Sequence, residues 1–218
     1  MDAPKPCPTC QKPPHLCVCE AAQPVDNRLF VLVLQHPQEK GEVLATAPLV
    51  RLQFKKSLVR IGLSWPSLKR ILNRDVDYKN WGVLYLGTAK SKPASDQEVI
   101  AVDKNGAPLA DQAVLADLEG IVVLDGNWAQ AKALWWRNPW MLKCRRLVLN
   151  PQVRSRYGKA RQEPRRESLS TLESAALVVS RLEGKPQVFD QALKPFDLLL
   201  KKYRDDKQQQ PATEPPQA

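Results

Sequence analysis

Four short, mainly apolar runs that stop abruptly at polar or turn-forming residues are the clearest pattern along this chain. They cover 29–35, 83–86, 121–124 and 146–149, and they are followed by His36-Pro37, Gly87-Thr88, Asp125-Gly126 and Asn150-Pro151. Apolar runs of roughly four to eight residues between turn signals are typical of strands buried on both faces. The pattern therefore predicts four core strands, and if these are parallel, their turns share one edge of a sheet.

Helix signals fill the intervals between these runs. Thr46-Ala47-Pro48-Leu49 resembles an N-cap with a proline inside the first turn, and Ser170 with Glu173 forms a capping box. We expect helices within 42–55 and at 66–73, 129–136, 168–182 and 187–204, with short strands at 57–62 and 99–103. Strands that alternate with helices are typical of the α/β class, here a mostly parallel sheet flanked by helices.

The composition suits one domain with small appendages. The chain has 218 residues, of which 43% are apolar, so it can bury a substantial core. We expect a cysteine-rich arm at 1–24, one α/β domain over 25–206, and a disordered tail at 207–218, where the sequence reads KQQQPATEPPQA. No apolar run is long enough for a transmembrane helix, and the N-terminus has no apolar signal region, so the sequence predicts a cytoplasmic protein.

The net charge of +10 indicates an anionic partner. Nucleic acid is favoured over a membrane because no basic amphipathic helix stands out, although many basic proteins have no such partner. The densest basic segment is RSRYGKARQEPRR at 154–166. Guanidinium groups can bind phosphates and an aromatic ring can stack on a base, so this loop is the predicted RNA contact; the alternative is a solvated charged loop. Its residues assigned to RNA are Arg154, Arg156, Tyr157, Lys159, Arg161, Arg165 and Arg166.

The stretch IVVLDGNWAQAKALWW at 121–136 predicts a buried strand, a tight turn and a helix. Ligands of open α/β sheets bind beyond the carboxyl ends of such strands, which is where Asp125 stands, beside a glycine that allows close approach. An alternative is that Asp125 or Asn127 only caps the helix, with Gln130 completing a capping-box-like pair. Trp128 could stack on a base or on adenine, or pack in the core, whereas Trp135, Trp136 and Trp140 are expected to be core or helix-packing residues.

Four of the five cysteines lie in CPTCQKPPHLCVC. In a cytoplasmic chain, such a cluster predicts metal ligands rather than disulfides. Cys7, Cys10, Cys17 and Cys19 could complete a closed tetrahedral zinc site, which is structural because no coordination position stays open. His15 could replace one thiolate, and a redox-active or disordered segment is the alternative. Cys144 stands alone and is expected in the core.

Several motifs in succession give the chain a family resemblance. The Cys-x-x-Cys…Cys-x-Cys arm is followed by HPQE, TAPL, LYLG, the LDGNW turn and SLSTLESAA. Together they resemble the DTW-domain family of tRNA-uridine aminocarboxypropyltransferases over roughly residues 7 to 200. Asp125 and Trp128 match the name-giving Asp-x-Thr-Trp motif, whereas Asn127 stands where the family usually has threonine.

The resemblance implies a fold related to the SPOUT methyltransferases, with a C-terminal trefoil knot that holds S-adenosylmethionine. It implies transfer of the 3-amino-3-carboxypropyl group of that donor to N3 of a tRNA uridine, with methylthioadenosine as by-product. Asp125 corresponds to the acidic motif residue and is the catalytic candidate. The residues implied near the donor are Thr46, Leu86, Gly87, Leu124, Gly126, Asn127, Trp128, Leu149, Ser170 and Thr171.

The chemistry of these residues agrees with that reaction. A sulfonium carbon is already activated, so the protein has to position it and deprotonate a weakly acidic imide nitrogen, for which one carboxylate can serve. His36 and Glu39 follow the first strand and could face the same crevice or cap the next turn. Two alternatives stay open: a non-catalytic zinc-containing RNA-binding protein, and a SPOUT-type RNA methyltransferase. The sequence leaves open whether the chain is a monomer or a homodimer.

Overall fold

The computed structural model describes residues 4–84, 97–158, 160–161 and 169–209. Its six strands are β1 (Phe30–Gln35), β2 (Ser57–Ile61), β3 (Trp81–Leu84), β4 (Val99–Val102), β5 (Gly120–Asp125) and β6 (Arg145–Leu149). Its five α-helices are α1 (Ala47–Gln53), α2 (Leu68–Leu72), α3 (Trp128–Arg137), α4 (Thr171–Leu182) and α5 (Gln187–Gln209). Short 3₁₀ helices include Pro14–Leu16 and Cys19–Ala21 in the N-terminal arm, Pro37–Glu39 after β1, and Pro139–Lys143 after α3.

The strands form one sheet in the order β2-β1-β5-β3-β6-β4. Every neighbouring pair is parallel except β4 with β6, which is antiparallel. The predicted α/β class and mostly parallel sheet are therefore confirmed. Because β1, β5, β3 and β6 are parallel neighbours, their carboxyl ends lie along one edge, and so do the polar turns that follow β1, β5 and β6, as the sequence indicated. The predicted turn at Gly87-Thr88 lies outside the described residues.

The central strands are buried on both faces, which explains their continuous apolar sequences. On β1, Val31 and Val33 face one core while Leu32 and Leu34 face the other, and β5 alternates in the same way. The first core packs against α1, α4 and α5. The second packs under α2, α3 and the 3₁₀ helix Pro139–Lys143, and it contains the buried Cys144, as predicted.

The N-terminal arm packs onto the domain. Its residues Cys10, Leu16 and Val18 are buried in the same core as α4 and α5. The Lys202 ammonium on α5 donates to the backbone oxygen of Cys17 at 2.6 Å, and lies 2.8 Å from a carboxylate oxygen of Glu20. The arm is thus anchored on the helical side of the first core.

Helix α5 runs to Gln209, beyond the predicted end at Arg204. Residues 207–209, which the sequence assigned to the tail, belong to this helix because Lys and Gln favour helix and the next proline is Pro211. Within the part of the chain that the structure describes, no helix is long and apolar enough to cross a membrane.

Candidate active site

Asp125 is the last residue of β5 and lies in register with Gln35, the last residue of β1. The Gln35 amide nitrogen Nε2 donates to Asp125 Oδ2 at 2.8 Å, and the Thr171 hydroxyl donates to Asp125 Oδ1. The Asp125 side chain makes neither of the capping bonds of α3. The capping-only interpretation therefore does not describe Asp125, whose carboxylate is held between β1 and the first turn of α4.

The electrostatic setting of Asp125 suits a proton acceptor. The residue is 5% exposed, and this burial raises the pKa of its carboxyl above the ordinary value. The hydrogen bonds from Thr171 and Gln35 act in the opposite direction, while the nearby charge of Glu39 raises the pKa and that of Arg161 lowers it. A carboxylate with a raised pKa is a stronger base at neutral pH than an ordinary aspartate.

The first turn of α4 borders this carboxylate. Ser170 is its N-cap and forms the predicted capping box with Glu173. The buried Thr46, directly before α1, accepts a hydrogen bond from the backbone N–H of Leu172 at 3.2 Å through its hydroxyl oxygen. Three predicted residues, Thr46, Ser170 and Thr171, are therefore brought to the same place as Asp125.

The turn after Asp125 is built by the motif residues themselves. Asn127 caps α3 and forms a capping box with Gln130, as the sequence indicated. A Cβ at Gly126 would lie 2.8 Å from the Cβ of Gln130, so only glycine fits without displacing the first turn of α3. Trp128 begins α3 with 37% of its surface exposed, so its ring is not part of the core. The Lys132 ammonium lies 5.7 Å from the centre of that ring.

The segment after β1 contributes a second polar group. Glu39 is buried, and its two carboxylate oxygens lie 3.3 and 3.2 Å from Nη2 of Arg161. The His36 ring nitrogen Nδ1 accepts from the backbone N–H of Gln38 at 3.3 Å, and the His36 backbone N–H donates to the Asp125 carbonyl at 2.9 Å. His36 therefore caps the turn, whereas Glu39 and Arg161 form an ion pair close enough to influence Asp125.

The other predicted donor-binding residues are more dispersed. Leu124 is buried in β5 directly before Asp125. Leu149 ends β6, two strands from β5, which corresponds to about 10 Å at the usual strand spacing. Leu86 and Gly87 lie outside the described residues.

The basic loop only partly fits its predicted role. Arg154 is exposed. Arg156 is held by Asp190 at 2.6 Å and by Asp197, both on α5. Lys159, Arg165 and Arg166 lie outside the described residues.

Tyr157 corrects one of these assignments. Its ring packs edge-on against Phe196 with centroids 4.9 Å apart, and its hydroxyl donates to the Leu44 carbonyl at 2.8 Å. The residue is buried, so its ring cannot stack on an RNA base in this structure.

Glu173 ties the basic loop to the site. Its carboxylate accepts from the Ser155 hydroxyl at 2.8 Å, from the Arg156 backbone N–H at 2.6 Å and from the Ser170 backbone N–H at 2.7 Å. Because Glu173 is buried, these bonds fix the start of the loop against the first turn of α4. The loop and Asp125 are therefore held by the same helix end.

The described residues also enclose a cavity of about 480 Å³ between the loop and the C-terminal half of α5. Its lining includes Tyr157, Leu200, Tyr203, Arg204 and Lys207, and it does not include Asp125, Gln35 or Thr171. It is separate from the carboxylate site.

The four cysteines of the arm form a compact cluster. The sulfurs of Cys7, Cys10, Cys17 and Cys19 all lie within 4.8 Å of one another. Cys7 and Cys19 are 3.6 Å apart, and Cys10 and Cys17 are 3.7 Å apart, measured between sulfurs. Zn–S bonds of about 2.3 Å in a tetrahedron place sulfurs roughly 3.8 Å apart, so the donor set fits a zinc ion.

Backbone groups favour the thiolate at Cys7, whereas burial raises the pKa of Cys19 to about 12. Hydrogen bonds from the backbone of Cys10 and then of Thr9 lower the pKa of Cys7 to about 6. Such amide-to-sulfur bonds favour the deprotonated form that a metal requires. His15 lies 3.7 Å from Asp206 and is not a member of the cluster, so the four-thiolate set predicted from the sequence fits better than one containing histidine.

The sequence did not single out Gln35 or Lys12. Gln35 could have been found as the polar end of an otherwise apolar strand. Lys12 is almost fully buried, and its ammonium donates to the Ala45 carbonyl at 2.5 Å and the Glu42 carbonyl at 3.4 Å. Burial lowers the pKa of Lys12 to about 8, against the charges of Cys10, Asp125 and Glu42. Lys12 thus links the cysteine arm to the loop that leads into Thr46.

Comparison with known proteins identifies the family of this chain. The model of the DTW domain matches residues 4–204. The chain is 28% identical to tRNA-uridine aminocarboxypropyltransferase 2 of Macaca fascicularis over 202 residues, which are 88% of this chain and 61% of that protein. The same protein of Drosophila melanogaster is also 28% identical, over 92% of this chain and 75% of its own length. This chain thus spans about three fifths of the macaque relative. No solved structure matches the chain.

Proposed function

Since the chain belongs to the DTW domain family, we propose that it is a tRNA-uridine aminocarboxypropyltransferase. It transfers the 3-amino-3-carboxypropyl group of S-adenosylmethionine to N3 of a uridine in tRNA. The relatives named for that activity, which are 28% identical, support the proposal. The observation that carries it is Asp125, a buried carboxylate held by Gln35 and Thr171 at the carboxyl edge of the parallel sheet.

The residues around Asp125 fit a donor at this edge. Thr46, Leu124, Gly126, Ser170 and Thr171 surround or adjoin the carboxylate and would hold S-adenosylmethionine there. Asn127 and Trp128 at the start of α3, Leu149 at the end of β6, and Leu86 and Gly87 outside the described residues are the remaining proposed donor contacts. Bound S-adenosylmethionine supplies a carbon activated by the adjacent sulfonium, with methylthioadenosine as the leaving group. Positioning by these residues decides which carbon on sulfur the uridine meets.

Asp125 would act on the nucleophile. As uridine N3 forms its bond to carbon, the carboxylate accepts the N3 proton, and the electron pair of the broken carbon–sulfur bond stays on sulfur. General-base assistance of this kind contributes about 10²–10⁴-fold to the rate. Gln35 and Thr171 are positioning residues, because each donates to one carboxylate oxygen and together they fix the carboxylate plane.

Other parts of the chain support binding. Cys7, Cys10, Cys17 and Cys19 would hold one structural zinc ion, which stabilises an arm that carries little apolar sequence of its own. Arg154 and Arg161 would contact tRNA phosphates, together with Lys159, Arg165 and Arg166, which lie outside the described residues. Arg156 would instead hold the loop against α5 through its ion pairs with Asp190 and Asp197. The relation to SPOUT methyltransferases, with the knot that it implies, belongs to the same proposal, and the α/β class with a mostly parallel sheet is compatible with it. A cytoplasmic location is likewise part of the proposal.

Analysis of the by-product separates this function from the closest alternative. The protein would be incubated with bulk tRNA and S-adenosylmethionine, and the small molecules would be identified by mass spectrometry. Methylthioadenosine that forms only with tRNA present supports the proposal. S-adenosylhomocysteine would identify a methyltransferase, and intact donor together with tRNA binding would identify a binding protein.

A further inference from the structure

The exposed face of α3 carries aromatic side chains that belong to neither hydrophobic core. Trp136, which the sequence predicted to be a core or helix-packing residue, is 78% exposed, and Trp128, eight residues earlier, is 37% exposed. Lys132 lies between them, and residues four apart share one face of a helix. Trp128, Lys132 and Trp136 therefore form a stripe along the outer side of α3, roughly 12 Å long at the helical rise.

Further exposed apolar side chains lie close to the end of this stripe. Leu142 is 57% exposed on the following 3₁₀ helix, and Leu63 is 37% exposed in the loop after β2. That loop adjoins the C-terminal end of α3, because Asn138 Nδ2 donates to the Leu63 carbonyl at 3.0 Å and the Ser64 hydroxyl donates to the Arg137 carbonyl at 3.0 Å. We call the stripe formed by Trp128, Lys132 and Trp136 the α3 face; Leu63 and Leu142 lie beside its C-terminal end.

The two chain segments that build the α3 face and its surroundings carry positively charged side chains and no acidic ones. Residues 126–162 include no aspartate or glutamate but nine lysines and arginines, and residues 43–74 include none but seven. The outer layer of α2, α3 and Pro139–Lys143 is built from these two segments. The cations lie close to aromatic rings there: Lys143 is 5.4 Å from the centre of the Tyr78 ring, and Arg146 is 5.7 Å from that of Trp135.

Aromatic rings interleaved with cations suit single-stranded RNA better than a protein. Rings stack on unpaired bases of any sequence, while lysine and arginine bind the phosphates between them. A second copy of this chain would bring the same positive surfaces together, which like-charge repulsion disfavours. The stripe also begins three residues after Asp125, so RNA held on it leads directly to the carboxylate.

We propose that the α3 face binds the unpaired nucleotides next to the uridine that is modified, with Trp136 as the outer stacking platform. Its length of roughly 12 Å matches about three stacked nucleotides at 3.4 Å each. This inference rests on the proposed function for the identity of the RNA. The contact is separate from the described part of the basic loop, where Arg156 is held against α4 and α5.

Variants at Trp136 test the inference, because a side chain so exposed can be replaced without opening the core. We compare the affinity for bulk tRNA of the full chain with that of Trp136→Ala, Trp136→Leu and Trp136→Phe. Leu142→Ala is the matched control, because it removes an exposed apolar side chain beside the α3 face without removing any residue of that face. Melting temperature and S-adenosylmethionine affinity are measured on the same preparations.

Stacking predicts a specific order of effects. Trp136→Ala and Trp136→Leu should each weaken tRNA binding about tenfold, while Trp136→Phe and Leu142→Ala should stay within about threefold of the parent. Melting temperature and donor affinity should not change. Equal tRNA affinity in all variants would overturn the inference, as would recovery of binding by leucine.

A loss of self-association in Trp136→Ala, seen by light scattering without a loss of tRNA affinity, would assign the face to a second copy instead. The inference and the proposed function can fail separately. If the parent protein forms no modified uridine but the Trp136 variants lose RNA affinity in the predicted order, the function fails and the α3 face stands.

Discussion

The Thr171 hydroxyl donates a hydrogen bond to the Asp125 carboxylate, and thereby joins the first turn of α4 to the end of β5 across 46 residues of sequence. Gln35 donates to the other carboxylate oxygen from the neighbouring strand. Asp125 is thus oriented by two donors on two different elements, while the backbone around it comes from a third. Such an arrangement fixes a carboxylate plane, which a proton acceptor needs and a simple helix cap does not.

Asp125→Asn should separate catalysis from folding. We expect turnover to fall by about 10²-fold or more, because the carboxamide cannot accept the uridine proton. The melting temperature should stay close to that of the parent, since the variant removes a buried charge and keeps a hydrogen-bonding side chain of the same size. Turnover, donor affinity and melting temperature should be measured on one preparation.

The outcomes of that experiment assign the role of Asp125. Unchanged donor affinity with lost turnover would show that the carboxylate acts on the nucleophile, the uridine N3. Weakened donor affinity would place it on the sulfonium or the amino group of S-adenosylmethionine. Near-normal turnover would refute any catalytic role.

Thr171→Val should change the pH dependence of the reaction. The hydrogen bond from Thr171 lowers the pKa of Asp125, so its removal raises a pKa that burial has already raised. A general base works only when deprotonated, so activity rises as pH rises through this pKa, and the acidic limb should move to higher pH in the variant. The rate at high pH should recover most of the parent value. An acidic limb at the same pH in both proteins would show that Asp125 is not the titrating base.

Metal analysis tests the cysteine cluster. We expect one zinc ion per chain in the native protein, and loss of that ion in Cys10→Ala, because four sulfurs within 4.8 Å of one another fit one tetrahedral ion. Cys144→Ala is the control and should retain the full zinc content, since Cys144 is buried in the second core. Native protein without stoichiometric zinc would contradict the assignment.

Two arginines of the basic loop should behave differently. Arg154→Gln should weaken tRNA binding and reduce the salt slope by about 0.7 for one lost phosphate contact, because Arg154 is exposed. Arg156→Gln should mainly lower the melting temperature, because it breaks the pairs with Asp190 and Asp197. Salt-dependent binding and thermal unfolding of both variants provide the comparison. A larger change of slope in Arg156→Gln than in Arg154→Gln would reverse the assignment.

Local patterns predicted most of the elements and part of the site. The apolar runs of β1 and β5, the capping boxes at Asn127 and Ser170, and the close spacing of the cysteines are all encoded within a few residues of sequence. Parallel strands then necessarily bring Gln35 and Asp125 to one edge, which the sheet confirms. The strands, the caps and the cysteine cluster follow from patterns within a few residues, and the shared edge follows from the parallel arrangement of the strands.

The features that the sequence did not indicate depend on contacts between residues that are far apart in the sequence. Thr171 reaches Asp125 only because α4 packs across the sheet, and Lys12 is buried only because the arm folds back against the loop before α1. Tyr157 in a highly charged loop resembles an exposed residue until Phe196 of α5 covers it. Trp136 is the opposite case: its apolar sequence context predicted a core or helix-packing residue, but the orientation of α3 leaves its side chain exposed.

The fate of isotopic labels tests the central claim most directly. The full chain would be incubated with bulk tRNA and S-adenosylmethionine labelled in the aminocarboxypropyl carbons or, in a parallel reaction, in the methyl group. Digested nucleosides would then be analysed by mass spectrometry. The account predicts that the first label appears in a modified uridine and that the second remains in methylthioadenosine. Transfer of the methyl label to RNA, or no labelled nucleoside from either donor, would contradict it.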